Sequence, residues 1–405
     1  MNDRRISINK TKFFPAYIVW ELTLRCDQNC AHCGSRARLP RESELTTKEA
    51  LLLADQIIAM KPREVVLIGG EAYLHEGFFE IINRLSSNEI LVTMTTGGKG
   101  ITPEIAKESV RCGLQNVSVS IDGIEKNHDL IRMAKGSFQS ATNSLQFFRE
   151  AGCSTGSNIN INRINMHDLE EVYAHIKMSG VTSWQIQITT PLGRASDRPN
   201  MILQPWDLIS IMPRIAELKK QALLDGILIM PGNNLGYFGP EESLLRSQKI
   251  SEKDHWMGCQ AGRFVMGIES DGGVKGCPSL QSNPYIGGNI RDVKLEEIWN
   301  KSPQLAFTRV RSRNDLWGYC KTCVYADTCL GGCSFTAHAL FGKPGNNPYC
   351  HYRAKTLAKQ NKRERLVLIK NAPSKPFDNG IFEIVEEPFD SPELESKDPI
   401  KKVFV

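Results

Sequence analysis

The sequence lacks long apolar runs and a strong excess of either charge. Nothing in its 405 residues approaches the ~18 consecutive apolar residues of a membrane-spanning helix. The N-terminal stretch MNDRRISINKTKFF has no apolar centre of the kind found in secretory signals. Its 50 basic and 45 acidic residues give a net charge of +5, too small to indicate a nucleic-acid or membrane partner. These absences predict a cytoplasmic protein.

Cysteine, by contrast, is plentiful and clumped. A cytosolic chain keeps its thiols reduced, so its 12 cysteines do not indicate a disulfide framework. Three lie within 26–33 and seven between 259 and 350. The isolated Cys112 and Cys153 are predicted to be small, buried apolar residues. The ten clustered cysteines are predicted to be metal ligands.

The first cluster has the spacing C-x3-C-x2-C and consists of Cys26, Cys30 and Cys33. A structural zinc site or an ordinary iron–sulfur cluster takes four protein ligands. A set of three therefore predicts that something other than the protein occupies the fourth position. On spacing alone, half of a zinc site or a chance grouping is the alternative.

Strand-like and helix-like segments alternate from residue 17 to about 190. Alternation of this kind predicts an α/β fold of parallel strands with right-handed crossovers. Six βα units favour a partial, open TIM-like barrel over a closed eight-stranded one, with the active site at the carboxyl ends of the strands. The predicted strands are 17–23, 64–70, 90–96, 116–123, 157–162 and 183–189.

Every unusual segment of this half follows one of those strands. The cysteine loop follows the first strand, GGE (69–71) the second and TTGG (95–98) the third. SID (120–122) ends the fourth strand, and polar segments end the fifth and sixth. Carboxyl ends of parallel strands meet at one edge, so these segments predict one ligand pocket.

C-x3-C-x2-C after a first strand, followed by GGE after the second, resembles the radical S-adenosylmethionine (SAM) enzymes over residues 17–190. The resemblance implies that the three thiolates hold a [4Fe–4S] cluster and that SAM chelates its open iron. It also implies an electron donor such as ferredoxin or flavodoxin, reductive cleavage of SAM and a 5′-deoxyadenosyl radical. The cofactor performs the difficult chemistry and the protein orients it.

The resemblance also implies SAM contacts. His32 stands where the family often has an aromatic residue that packs on adenine. GGE is expected to contact the methionine amino group, and Ser120 and Arg132 match a pair that binds the SAM carboxylate. Ala72 stands where the family usually has proline. The SAM-contacting residues implied in this way are His32, Gly69, Gly70, Glu71, Ser120 and Arg132.

Three further polar residues are open to two interpretations. Strand register directs Asn160 and Gln185 at the pocket, where each is either a cofactor contact or a hydrogen-bonded scaffold residue. Asp122 precedes a glycine and is equally well explained as a turn-forming residue.

The second cysteine group resembles a complete seven-cysteine SPASM domain, which would carry two auxiliary [4Fe–4S] clusters and so bring the expected total to three. The segment 264–277 is predicted to be a hairpin that turns at Asp271-Gly272. A zinc ribbon is the alternative for the C-x2-C-x5-C-x3-C part. By position, the resemblance assigns Cys320, Cys323, Cys329 and Cys350 to an outer cluster and Cys259, Cys277 and Cys333 to an inner one.

The inner set lacks a fourth cysteine. It therefore either leaves an iron open or is completed by water or a nearby side chain, for which Asp254 and His255 are the upstream candidates.

SPASM enzymes mostly modify ribosomally made peptides, so the resemblance implies peptide maturation. A small molecule such as a sugar or tetrapyrrole is the alternative substrate, and a non-catalytic metal-binding module is the alternative class. In sulfatase maturases an aspartate directly follows the cysteine that matches Cys277. This chain has Pro278 there, which argues against formylglycine formation. Only sixteen residues precede the first predicted strand, so any leader recognition is expected either elsewhere or in a separate leader-binding protein. Segments 233–242 and 342–350 resemble maturases paired with GDL-motif peptides.

The remaining segments complete the predicted organisation. The segment 233–242 lines a substrate entrance or belongs to a solvated connector. The tail is rich in proline and acidic residues, which predicts an extended or mobile segment or one that folds back. The predicted units are an arm (1–16), the barrel (17–190), a connector (191–258), the SPASM domain (259–363) and an extended tail (364–405).

Overall fold

A computed structural model describes residues 13–247 and 254–392. Its first half alternates strands and helices, as the sequence predicts. The strands of this half are β1 (Tyr17–Glu21), β2 (Glu64–Ile68), β3 (Leu91–Thr96), β4 (Asn116–Ser120), β5 (Ser154–Ile161), β6 (Ser183–Ile188) and β7 (Leu228–Pro231). The helices are α1 (Thr47–Met60), α2 (Phe78–Ser86), α3 (Pro103–Arg111), α4 (Glu125–Arg132), α5 (Ser137–Glu150), α6 (Leu169–Met178), α7 (Leu208–Leu224) and α8 (Glu242–Arg246).

The second half is built of short elements. Its strands are β8 (Val265–Ile268), β9 (Gly273–Lys275), β10 (Gly288–Asn289), β11 (Lys362–Lys370) and β12 (Ile381–Pro388). Its helices are α9 (Ser282–Tyr285), α10 (Leu295–Lys301), α11 (Pro303–Ala306), α12 (Tyr319–Thr322), α13 (Ala326–Cys329), α14 (Ser334–Phe341) and α15 (His351–Ala358). Single 3-10 turns lie at Ala72–Leu74, Gly193–Ala195, Pro205–Asp207 and Arg313–Asp315.

Ten strands form one sheet in the order β10-β9-β8-β1-β2-β3-β4-β5-β6-β7. Neighbours from β1 to β7 pair in parallel, which confirms the predicted open barrel. The predicted connector contributes the seventh strand, β7. The SPASM region also joins this sheet, because β8 pairs in parallel with β1 and places Val265 opposite Tyr17. The two predicted units therefore share one sheet.

Local chemistry explains where the predicted helices begin. The side chain of Thr46 accepts a hydrogen bond from the backbone of Glu49, whose side chain accepts one in return, and this capping box starts α1. Thr102 caps α3, with Pro103 in its first turn. Each cap is worth about 1 kcal/mol.

The β8–β9 hairpin turns where the sequence predicts it. Gly272 has a φ of +88°, a conformation that glycine adopts without steric cost, and the side chain of Asp271 accepts from the backbone of Gly273 at 3.1 Å.

The region from residue 364 differs from the predicted extended tail. Strands β11 and β12 pair antiparallel, with Leu366 opposite Ile384, and Leu366 and Phe382 are buried in the main core. Leu366 and Leu368 of β11 and Phe382 and Ile384 of β12, which lie at alternate strand positions, supply this buried face. The rest of the predicted tail, 393–405, lies outside the described residues.

Two other predictions concern burial and membrane contact. Cys112 and Cys153 are both 6% exposed, which confirms that they are buried. Among the described residues, no helix is long and apolar enough to cross a membrane.

Candidate active site and metal centres

The loop that carries Cys26, Cys30 and Cys33 follows β1 at the carboxyl edge of the sheet. Arg194, which follows β6, fastens this loop from across the barrel. Its Nε donates to the carbonyl of Cys30 at 2.7 Å, and its backbone N–H donates to the carbonyl of Cys33 at 3.0 Å. The loop is therefore held in place by a residue far away in the sequence.

The three thiols suit a multi-iron cluster better than a single ion. A tetrahedral zinc ion with Zn–S bonds of about 2.3 Å holds its sulfurs only about 3.8 Å apart. Among the described residues, the one group with all ligand atoms within 4.8 Å of one another is Cys26, Asp27 and Glu71, so no three cysteines form such a set. This spacing argues against both zinc alternatives.

Burial makes the thiols of Cys26 and Cys30 poor anions until a positive charge is present. Burial raises the pKa of Cys30 to about 11, although the nearby Arg132 opposes the rise, and it also raises the pKa of Cys26. Metal binding stabilises the thiolate form. The donor set is therefore chemically suited to an iron–sulfur cluster.

The GGE segment packs directly against the cysteine loop. A Cβ on Gly69 would lie 2.4 Å from the carbonyl oxygen of Thr23, and one on Gly70 would lie 2.1 Å from that of Arg25. Only glycine permits this approach. The Glu71 carboxylate accepts from the backbone of Gly97 at 2.7 Å, and burial raises its pKa to about 7.

Asp122 is a site residue whose role the sequence left open. It is fully buried, and its Oδ2 lies 2.6 Å from a terminal nitrogen of Arg132 and 3.4 Å from Nε2 of His32. Burial alone would raise the pKa of Asp122, but Arg132 holds it below its ordinary value. Burial lowers the pKa of His32 to about 4, so the ring is neutral at pH 7. Asp122 thus positions Arg132 and His32.

One cavity of about 340 Å³ contains the predicted SAM-side residues. Nε of Arg132 is buried there without a hydrogen-bond partner among the described residues. An unpaired donor of this kind fits a polar ligand. The cavity brings together Cys26, Cys30, His32, Cys33, Gly69, Gly70, Glu71, Ser120, Arg132 and Asn160.

A second cavity, of about 390 Å³, extends through the barrel lumen. It shares His32, Ser120, Arg132 and Asn160 with the first cavity. Its far wall includes the SPASM thiols of Cys259, Cys277 and Cys333, together with Trp256, Pro278 and Phe335. The two cavities therefore connect the SAM-side residues with one SPASM thiol group.

The inner SPASM thiols lie close to one another. Burial raises the pKa of Cys333 to about 12, and the thiols of Cys259 and Cys277 contribute to that rise. Burial likewise raises the pKa of Cys277 to about 11, with Cys259 contributing.

The remaining four SPASM cysteines form the outer group. Burial raises the pKa of Cys329 to about 12, and Cys320 and Cys323 contribute. Burial also raises the pKa of Cys350, with contributions from Cys329 and Cys320. Cys329 thus interacts with Cys320, Cys323 and Cys350, as the outer set of the resemblance requires, while the ligation of clusters by either set stays a prediction.

The segment 233–242 lies against the thiols of both SPASM groups and is not a solvated connector. The buried Tyr237 accepts a hydrogen bond from the backbone of Cys333 at 3.0 Å, and Cys350 Sγ donates to the carbonyl of Tyr237 at 3.6 Å. Asn233 and Asn234 line the lumen cavity.

Two sequence candidates are placed differently from their expected roles. Asp254 and His255 line another cavity, which includes none of the inner cysteines, and the His255 ring lies 6.0 Å from that of Phe238. Gln185 lines the lumen cavity but not the SAM-side cavity. Gln187, which the sequence reasoning passed over, lines both cavities. Strand alternation could have identified Gln187, since it shares a face with Gln185.

Comparison with known proteins gives matches across both halves. Residues 20–176 match the radical SAM superfamily model, and residues 259–324 match SPASM, described as an iron-sulfur cluster-binding domain. The AdoMet-dependent heme synthase of Methanosarcina barkeri is 28% identical over 347 residues, covering 84% of this chain and 97% of its own. Mycofactocin maturase MftC of Mycobacterium tuberculosis is 28% identical over 342 residues, covering 83% of each chain.

Solved structures share the fold. SuiB of Streptococcus suis bound to its precursor peptide SuiA has a TM-score of 0.64 at 15% identity, covering 84% of this chain and 75% of its own. AnSMEcpe with bound AdoMet has a TM-score of 0.66 at 16% identity, covering 84% and 95%. The cofactors of the two matched domains are [4Fe–4S] clusters and SAM. The chain is therefore a radical SAM superfamily enzyme with a C-terminal SPASM domain.

Proposed function

We propose that this enzyme modifies a ribosomally made peptide by abstracting hydrogen from one of its residues. The observation that carries the proposal is the lumen cavity between the SAM-side residues and the inner SPASM thiols. Among the described residues that line it, seven carry side-chain amides and none is aspartate, glutamate or lysine. A chamber lined by amides, without carboxylate or lysine side chains, matches the chemistry of a peptide backbone.

In this proposal some residues of the chain hold the SAM cluster and others orient SAM. We assign Cys26, Cys30 and Cys33 to the SAM cluster, which together with SAM supplies the 5′-deoxyadenosyl radical. Arg132, held by Asp122, offers a guanidinium to the SAM carboxylate, and a planar fork of this kind suits a carboxylate.

The same proposal gives the SPASM domain two clusters. Cys320, Cys323, Cys329 and Cys350 hold the outer cluster completely, whereas Cys259, Cys277 and Cys333 leave one iron of the inner cluster without a cysteine. The position of Asp254 and His255 in a different cavity supports an open inner site.

Two partners complete the proposal. A one-electron donor such as ferredoxin or flavodoxin reduces the SAM cluster, and a separate protein binds the leader of the peptide. The relatives support a peptide substrate by their names, since MftC is a maturase and SuiB is bound to a precursor peptide.

A tetrapyrrole is the second candidate, favoured by the heme synthase relatives. A porphyrin with carboxylate side chains requires cationic partners. The lumen offers one guanidinium among the described residues, Arg132, which in this proposal already binds the SAM carboxylate. The lumen chemistry therefore favours the peptide.

The test compares both substrates on anaerobically reconstituted enzyme. The enzyme, SAM and a reductant are incubated with short peptides encoded beside its gene, or with iron coproporphyrin III, and the products are analysed by mass spectrometry. We expect 5′-deoxyadenosine together with a mass change in a peptide. The triple alanine variant of Cys26, Cys30 and Cys33 should form neither. Conversion of the porphyrin with every peptide left unchanged would overturn the proposal.

A further inference from the structure

Three amide side chains line the lumen without a protein partner. In β6, Trp184, Ile186 and Ile188 are buried on one face, while Gln185 and Gln187 lie on the other. Strand alternation directs this second face into the lumen, where both glutamines line the cavity. The pairing of β5 with β6 sets Asn160 opposite Gln187.

These amides differ from their neighbour Asn158, whose side-chain oxygen and nitrogen both form hydrogen bonds to protein side chains. Asn158 Oδ1 accepts from Ser120 Oγ at 2.9 Å, and its Nδ2 donates to Ser118 Oγ at 3.1 Å. The side-chain amides of Asn160, Gln185 and Gln187 make no hydrogen bond to any other described residue. We call these three side chains the amide patch. Each offers two donors and a carbonyl acceptor to a ligand.

The surroundings of the patch restrict what it binds. The same cavity includes Pro278, Phe335 and the three inner thiols, and its titratable side chains besides cysteine, among the described residues, are Tyr17, His32 and Arg132. Burial keeps the His32 ring neutral at pH 7, and Arg132 is paired with Asp122. A ligand here must carry neutral donors and acceptors, since a buried unpaired charge is strongly disfavoured.

We propose that the amide patch binds the backbone amides of an extended, uncharged peptide segment and holds it between the SAM side and the inner thiols. This inference rests on the proposed function and specifies its substrate site. Gln185 is the informative member, because it lines the lumen cavity and not the SAM-side cavity. A cofactor role for Gln185 would instead place it in the cavity with the N-terminal cysteines.

The experiment measures binding of a backbone probe to the full-length, SAM-loaded, reconstituted enzyme. The probe is N-acetyl-Gly-Gly-Gly-amide, which has backbone amides and neither side chains nor charge, and its dissociation constant is measured by saturation-transfer NMR. A matched probe carries an ester in place of the central amide. We expect the ester to bind more weakly, because it lacks one N–H donor.

The variants are Gln185→Met and Gln187→Met, which keep the length of the side chain and remove its amide. The matched control is Gln146→Met in α5, whose exposed amide donates a hydrogen bond to Glu150 at 2.7 Å. We expect the Gln185→Met variant to bind the amide probe about tenfold more weakly, which corresponds to about 1.4 kcal/mol. The control should stay within about twofold of the wild type. SAM affinity, measured in parallel, should be retained by the Gln185→Met variant.

Each other outcome is decisive. Unchanged probe affinity in both glutamine variants overturns the amide patch, and the proposed function survives if the enzyme still modifies a peptide. Equal loss of SAM and probe binding in the Gln185→Met variant overturns the assignment, because Gln185 would then serve the cofactor or the fold. Binding of coproporphyrin III by an enzyme that ignores the amide probe overturns both proposals.

Discussion

Replacing Lys275 with methionine tests how the SPASM hairpin is fastened to the barrel. Lys275 Nζ lies 2.6 Å from Glu269 Oε1, and the two side chains are 1% and 3% exposed. Arg41 lies 3.1 Å from Glu269 and 3.1 Å from Glu21 of β1. A buried network of charges therefore joins β8, β9 and β1. The Lys275→Met substitution removes the closest cation of Glu269 and leaves its carboxylate buried.

The expected loss follows from the asymmetry of buried ion pairs. Removing one partner of such a pair costs about 3–5 kcal/mol, whereas replacing both partners by apolar side chains is close to neutral. The Lys275→Met variant should therefore lose about 3–5 kcal/mol of the free energy of unfolding, and the Lys275→Met/Glu269→Leu variant should recover most of it. Anaerobic urea unfolding followed by tryptophan fluorescence measures both. A loss below about 1 kcal/mol, or a double variant no more stable than the single, would refute this reasoning.

The same network predicts a dependence on pH. Burial alone would raise the pKa of Glu269, but Lys275 and Arg41 hold it below its ordinary value of 4.5. Its contribution to stability is therefore present above pH 4.5 and is lost as the pH falls through the lower folded-state pKa. Glu21, whose pKa burial raises, acts in the opposite sense. We expect the unfolding free energy of the wild type to fall below pH 4.5 relative to that of the Lys275→Met/Glu269→Leu variant, which lacks this carboxylate. A constant difference from pH 7 to pH 3 would contradict this assignment.

Three further predictions concern the metal centres and the β11–β12 loop. Reconstituted enzyme should bind roughly twelve irons as three four-iron clusters, and the triple alanine variant of the N-terminal cysteine loop should lose about a third of them by iron analysis; zinc in their place would contradict this count. The Cys333→Ala variant should lose product while still forming deoxyadenosine, and cyanide should perturb the spectrum of the inner cluster and not that of the outer one; loss of deoxyadenosine as well would argue for a structural role. Asp378→Asn weakens the 2.8 Å ion pair with Arg36. The pair lies beside the buried Phe377, whose φ of +55° costs about 1–3 kcal/mol, so chymotrypsin should cleave after Phe377 several-fold faster than in the wild type. An unchanged rate would show that the pair does not hold the loop.

The fold was predictable where local sequence carries a strong signal. Helix α1 has both a capping box and apolar residues at helical spacing, and both signals lie within one contiguous stretch of sequence. Strand β7 was missed because LIMP is too short to show a period. The pairing of β8 with β1 was missed for a different reason. It joins residues about 250 positions apart, and no local pattern in either strand specifies its partner.

The functional site likewise has residues that local motifs predict and residues that only tertiary contacts identify. Cysteine spacing and GGE are contiguous motifs, so sequence could select them. Asp122, Arg194 and Phe377 act through contacts made across the fold, such as the bond from Arg194 to Cys30 and the position of Phe377 in the wall of the SAM-side cavity. A single aspartate before glycine, or a phenylalanine in a polar loop, has more common explanations, and only tertiary contacts distinguish them.

The shared sheet determines how far apart the two kinds of metal centre lie. The loop of Cys26 leaves the carboxyl end of β1, whereas β9 runs antiparallel to β8 and delivers Cys277 toward the amino end of β1, where Tyr17 and Val265 line the same cavity. Strand β1 has five residues, and at about 3.3 Å per residue it spans roughly 16 Å. That span leaves room for a substrate segment between the centres, across the lumen from β5 and β6. Weakening the β1–β8 pairing should therefore uncouple the centres while each keeps its own cysteines, so a reaction that needs both should fail before either cluster is lost.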